Sequence, residues 1–193
     1  MMIKKGYKIA IFASGSGTNA ENMIRYFKGH DFIEVALVVS NNPDAYVLKR
    51  AEKENVPSVI MDKSFRNSEE RVMELMRQFD IHFIVLAGYL LLIPQWLTRQ
   101  FENRIVNIHP ALLPRFGGKG MYGDHVHEAV IKSGEKKSGI TIHYVNEKYD
   151  QGDIIFQAEC PVFAHDTPQS LAKRIHELEY RYFPPIVEKI ILE

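Results

Sequence analysis

Short, nearly unbroken apolar runs recur through the first half of this chain, and an amphipathic stretch separates each from the next. KIAIFA (8–13), EVALVVS (34–40), SVIM (58–61), FIVLAG (83–88) and IVNIHP (105–110) are short enough for strands and too uniformly apolar for strands with one wet face. Between them lie helical patterns: TNAENMIRYFKG, closed by Gly29; AYVLKRAEKENV; and NSEERVMELMRQF, with Asn67 as its N-cap. Strands buried on both sides, alternating with helices, predict an α/β fold with a mostly parallel central sheet covered by helices on both faces.

The second half is less regular. A glycine-rich stretch, RFGGKGMYGD (115–124), precedes a short helix pattern, HVHEAVIKS. GITIHYV and DIIFQAEC read as a pair of strands around the polar segment NEKYDQG. From Thr167, with Pro168 at the first helical position, a helix runs toward the C-terminus, with an interruption expected at Pro184-Pro185. At 193 residues and 46% hydrophobic, the chain fits one domain spanning 1–193.

Charge narrows the partners. Lysine plus arginine equals aspartate plus glutamate at 24 each, so no basic field draws the protein to nucleic acid or anionic lipid, and small-molecule substrates are expected. Cys160 is the single cysteine, which excludes an internal disulfide. MMIKKGYKIAIF carries no apolar signal-peptide core, and no apolar stretch approaches the ~20 residues of a membrane helix. A cytoplasmic protein is expected, free to form a homodimer but with an oligomeric state the sequence does not fix.

Two segments carry chemistry. ASGSGTNA (13–20) joins the first strand to the first helix, where backbone N–H groups and the helix dipole hold anions. Gly15-x-Gly17-x-x-Ala20 matches the dinucleotide fingerprint, yet the second strand ends in Ser40-Asn41-Asn42, without the acid that binds ribose hydroxyls. The loop therefore reads as a site for a terminal phosphate, with Gly17 leaving room for it and Thr18 and Asn19 capping the helix; a tight turn that only packs helix on strand is the alternative. In IVNIHPA, strand alternation puts Asn107 and His109 on one side of a strand that Pro110 ends.

IVNIHPALLP together with GITIHYVNEKYDQGDII resembles the folate-dependent formyltransferases, and the resemblance runs from the first strand to the final helix. It implies a Rossmann-like formyltransferase fold, with the phosphate-binding part N-terminal and the folate and catalytic loop C-terminal. The implied activity is transfer of a formyl group from 10-formyltetrahydrofolate to the amine of glycinamide ribonucleotide in purine synthesis. By motif the catalytic trio falls on Asn107, His109 and Asp150. Ser16, Gly17, Thr18 and Asn19 would hold the substrate phosphate and Glu179 its ribose. AGYLLLIP and the aspartate loop would hold the folate, through Leu90, Leu91, Leu92, Ile93, Asn107, Glu147, Lys148 and Tyr149. Some relatives have arginine where this chain has Leu91, so a side-chain contact to the folate tail is not carried over.

The chemistry gives the trio its roles. Attack of an amine on the formyl carbon creates an oxyanion that preplaced donors must hold. Asn107 offers its amide, and Asp150 is expected to raise the pKa of His109 and to help move protons toward the departing folate nitrogen. The other histidines take plainer readings. His125 and His127, two apart on a helix, do not share a face, so no metal site is expected; His143 either lines the site or is a satisfied strand residue; His176 and Glu179 share a helix face. Two further classes stay open: a formyltetrahydrofolate hydrolase or another folate-dependent formyltransferase, and a nucleotide-binding oxidoreductase module.

Overall fold

A computed structural model describes residues 6–193. The N-terminal segment read above for a signal peptide begins in residues 1–5, outside the described residues. One seven-stranded sheet holds the chain together, in the order β3-β2-β1-β4-β5-β6-β7. β1 (Tyr7–Phe12), β2 (Ile33–Ser40), β3 (Ser58–Ile60), β4 (Phe83–Leu86) and β5 (Ile105–His109) run parallel. β6 (Lys137–Tyr144) and β7 (Ile154–Pro161) continue the sheet antiparallel.

Strand alternation divides the core between two faces. Ile9 and Ile11 of β1 pack with Ala20, Met23 and Ile24 of α1 (Thr18–Tyr26), Val47 of α2 (Tyr46–Lys53), Val130 of α6 (Asp124–Lys132) and Phe183 and Val187 of α7 (Pro168–Leu192). Ala10 and Phe12 face the other way, onto Val72 and Met76 of α4 (Glu69–Gln78) and Leu97 of α5 (Gln95–Gln100). Both faces of β1 are therefore dry, which is why its sequence carries no polar alternation.

Two features differ from the sequence reading. Asn67 does not cap α4: a short α3 (Lys63–Arg66) ends at Asn67, and Ser68 supplies the cap, its hydroxyl accepting the Arg71 N–H at 3.3 Å. The prolines do not interrupt α7, which runs through Pro184 and Pro185 for 25 residues. Pro184 and Phe183 are buried along this helix, so packing on the sheet outweighs the backbone bonds the two rings remove. The expected start of α7 holds, with Thr167 as N-cap in a capping box with Ser170 and Pro168 as the first helical residue. Among the described residues no helix is long and apolar enough to cross a membrane.

Candidate active site

The order of the parallel strands reverses beside β1, which has β2 on one side and β4 on the other. Chain leaving the carboxyl ends of β1 and β4 parts there, and ligands of open α/β sheets bind at such a point. A cavity of about 570 Å³ opens at this end of the sheet. Residues 15–19, 87–90, 107–110 and 118–123 line it, with Tyr149, Asp150, His127, His176 and Glu179.

The glycine loop forms one wall. Gly17 is the N-cap of α1 and adopts a left-handed φ of 74°. It has no side chain to close the helix end, so the expected caps from Thr18 and Asn19 do not form: these are already the first two helical residues, and Asn19 instead donates from Nδ2 to Glu179 Oε2 at 2.8 Å. The first-turn N–H groups are left without a side-chain cap, as an anion site requires. Nor is phosphate clearance the main reason for glycine here. A Cβ at Gly17 would sit 2.4 Å from Cβ of Val47, so α2 behind the loop excludes a side chain. Asn41, where a dinucleotide site would carry its acid, is engaged by Ser14, whose hydroxyl donates to Asn41 Oδ1 at 2.5 Å and accepts the Leu90 N–H at 3.0 Å.

β5 and β6 build the opposite wall. Antiparallel pairing sets Asn107 across from His143 and His109 across from Thr141. Asp150, on the loop before β7, has a left-handed φ of 52°, a conformation that aspartate tolerates better than most residues. Its Oδ2 accepts the Gly118 N–H at 2.9 Å and lies 3.6 Å from His109 Nδ1; its Oδ1 lies 3.4 Å from Asn107 Nδ2 and 3.6 Å from His143 Nε2. The three residues singled out by motif thus meet, together with His143.

Carbonyl acceptors fix the proton positions. His109 Nε2–H donates to the Phe116 carbonyl at 2.7 Å, which leaves Nδ1 toward Asp150. His143 Nδ1–H donates to the Tyr144 carbonyl at 2.8 Å, so in the neutral ring Nε2 accepts from Asn107 Nδ2 at 3.1 Å. His143 is therefore both satisfied and part of the site, which its single-strand pattern left undecided.

The expected elevation of the His109 pKa is not what this geometry gives. Burial disfavours the imidazolium and holds the pKa below its ordinary value; Asp150 and the Phe116 carbonyl oppose that without overcoming it. Burial would raise the Asp150 pKa, but the neighbouring His143 and His109 and the Gly118 N–H outweigh it, so the carboxyl is held below the usual range. At neutral pH the pair is a carboxylate beside a neutral imidazole.

α7 closes the cavity with Glu179, which is 4% exposed and accepts from Asn19 and from His176 Nδ1, each at 2.8 Å. The Glu179 hydrogen bond raises the His176 pKa. Ser16, Gly17, Thr18, Asn19 and Glu179, the residues expected around the substrate, all line the cavity. Of those expected around the folate, Asn107, Leu90 and Tyr149 do. The structure leaves the side chains of the others elsewhere. Ile93 belongs to the core beneath, Leu91 packs against that core and Leu92 faces outward. Glu147 accepts from Gln95 and faces Arg99, while the Lys148 N–H bonds Asn146 Oδ1 in the turn.

Sequence reading missed His127, a buried cavity residue whose Nδ1 has no partner among the described residues; the glycine-rich loop 115–124, long enough in the sequence to suggest function, contributes Lys119, Met121 and Tyr122 to the cavity. Among the described residues no cluster of three or more histidine, cysteine, aspartate or glutamate side chains is arranged to hold a metal.

The chain is similar to known proteins over nearly its whole length. The phosphoribosylglycinamide formyltransferase of Bacillus subtilis (strain 168) is 36% identical over 189 residues, covering 95% of this chain and 94% of that protein. The chloroplastic phosphoribosylglycinamide formyltransferase of Arabidopsis thaliana is 41% identical over 192 residues; the match covers 96% of this chain and 66% of the plant protein, just under two thirds. The crystal structure of phosphoribosylglycinamide formyltransferase from Bacillus halodurans superposes with a TM-score of 0.85 at 38% identity, covering 95% of each chain. A family model described as formyl transferase matches residues 7–187, nearly the whole described chain, and with these relatives it makes this protein a member of the formyl transferase family.

Proposed function

We propose that this chain transfers the formyl group of 10-formyltetrahydrofolate to the amine of glycinamide ribonucleotide, N1-(5-phospho-D-ribosyl)glycinamide, as a step of purine biosynthesis. The observation that carries the reading is the joining, across one cavity, of an uncapped glycine loop and the Asn107–His109–Asp150 cluster. The loop N–H groups of residues 16–19 receive the phosphate, and Glu179 accepts from the ribose hydroxyls. The cavity's size falls within the ~300–1,000 Å³ common for small-molecule sites, and its wall at Tyr89 and Leu90 suits the flat folate ring.

The amine's lone pair forms a bond to the formyl carbon, and the carbonyl π pair moves to oxygen. Asn107 holds that oxyanion by turning the N–H of its long 3.4 Å contact with Asp150 toward it. His109, neutral before the reaction, takes at Nδ1 the proton the attacking nitrogen loses, and Asp150 stabilises the imidazolium. Collapse of the intermediate breaks the bond from carbon to the folate nitrogen, which takes that proton as it leaves. Overall, N–H and C–N bonds are exchanged and no net charge is created.

In this reading 1–193 acts as one domain, phosphate-binding in its N-terminal part and folate-binding and catalytic in its C-terminal part, which the single sheet supports. The partners are small molecules, a homodimer is the assembly to test by sedimentation, and the cytoplasm is the proposed location, whereas the Arabidopsis relative is named as chloroplastic. The deciding experiment mixes the protein with 10-formyltetrahydrofolate with and without glycinamide ribonucleotide. Turnover should require the amine. Equal consumption without it would make the protein a hydrolase, and tight NAD binding with no folate turnover would favour the redox module.

A further inference from the structure

We propose that Arg50, outside the cavity, is a positioning residue that orients the phosphate loop from behind; the inference rests on the reading of that loop as a phosphate site. Arg50 Nε–H donates to the Ser16 carbonyl at 2.8 Å, and one turn earlier on α2 the Val47 N–H donates to the Gly15 carbonyl at 3.1 Å. Each carbonyl belongs to a planar trans peptide whose N–H, that of Gly17 or of Ser16, points the opposite way. Pinning both oxygens toward α2 therefore turns both N–H groups away from it, to the side where the cavity lies. Among the described residues neither Ser16 nor Gly17 donates a backbone hydrogen bond, so both donors are free for a ligand.

The guanidinium is itself fixed. Its Nη1 donates to Glu21 of α1, and its central carbon lies 4.9 Å from the centroid of the Tyr46 ring. A planar fork can reach a loop carbonyl through one edge and a carboxylate through another; a lysine ammonium has no such geometry. Arg50 thus ties α1, the loop and α2 into one unit, and its charge also favours an anion nearby.

The test compares the parent with Arg50→Gln and Arg50→Lys, measuring the dissociation constant of ribose 5-phosphate by calorimetry and steady-state kinetics with both substrates. Losing a charge-assisted hydrogen bond that sets two donors should weaken ribose 5-phosphate binding, and raise KM for glycinamide ribonucleotide, by about tenfold in Arg50→Gln. The kcat and the KM for 10-formyltetrahydrofolate should stay within about twofold. Arg50→Lys should raise the KM by a smaller factor, and it serves if Arg50→Gln fails to fold. A merely structural role would lower the melting temperature without moving KM. Unchanged ribose 5-phosphate affinity in a folded variant overturns the role of Arg50 alone; a parent that does not bind ribose 5-phosphate overturns the phosphate site and this inference with it.

Discussion

Asp150→Asn separates the charge of the carboxylate from its shape. Asparagine tolerates the φ of 52° at this position, and its carbonyl oxygen can still accept the Gly118 N–H, so the loop should keep its course. What disappears is a negative charge 3.6 Å from His109 Nδ1. At that distance and an effective dielectric of about 20, two unit charges interact by roughly 4–5 kcal/mol, or about three pKa units. That is an upper bound, because Asn107, His143 and the Gly118 N–H share the same carboxylate and already offset its field. A residual coupling of about 1.5–3 kcal/mol is expected, and removing it should lower further a His109 pKa that burial already holds low. The imidazolium formed during transfer loses the same stabilisation, so kcat should drop about 10- to 100-fold. Acidification should not rescue it, since the deficit lies in the reaction and not in a ground state short of protons. NMR titration of His109 in parent and variant gives the coupling, and a pH–rate profile its consequence. Equal histidine pKa values in the two folded proteins would refute the electrostatic argument, even with an inactive variant.

Other perturbations follow from the same geometry. Asn107→Ala should lower kcat by about 10²- to 10³-fold with less change in substrate affinity, by steady-state kinetics and ligand titration; a loss confined to affinity would make Asn107 a binding residue. Gly17→Ala places a Cβ against Val47 at a left-handed φ, and should cost about 2 kcal/mol or more, a fall in melting temperature of at least roughly 4 °C; an unchanged melting curve would contradict the packing argument. Burial lowers the pKa of both His109 and His127, so the unfolded chain takes up protons below about pH 6.5 where the native one resists. Stability should therefore decline as pH falls from about 6.5 through the native values. His176, raised by Glu179, acts oppositely, adding stability below about 6.5 that is lost as pH rises through its native value. Denaturant midpoints across this range should shift downward on acidification, less so in His127→Gln.

The sequence by itself determined the parallel sheet, because strands packed on both faces must be apolar throughout, and that signature is local. It also offered candidates for the site: Asn107 and His109 share a strand face by period, and a strand–glycine–helix junction is able to hold an anion. Contacts between distant segments were not legible, since they depend on register and packing that no local pattern encodes. That His143 stands across from Asn107 follows from the β5–β6 pairing. The continuity of α7 through Pro184-Pro185 reflects burial against the sheet, which overrides helix propensity. The need for glycine at position 17 comes from Val47, thirty residues along the chain. Even the protonation of His109 was decided in three dimensions. Proximity to a carboxylate argues for the cation, and only the depth of the site reveals that desolvation outweighs it.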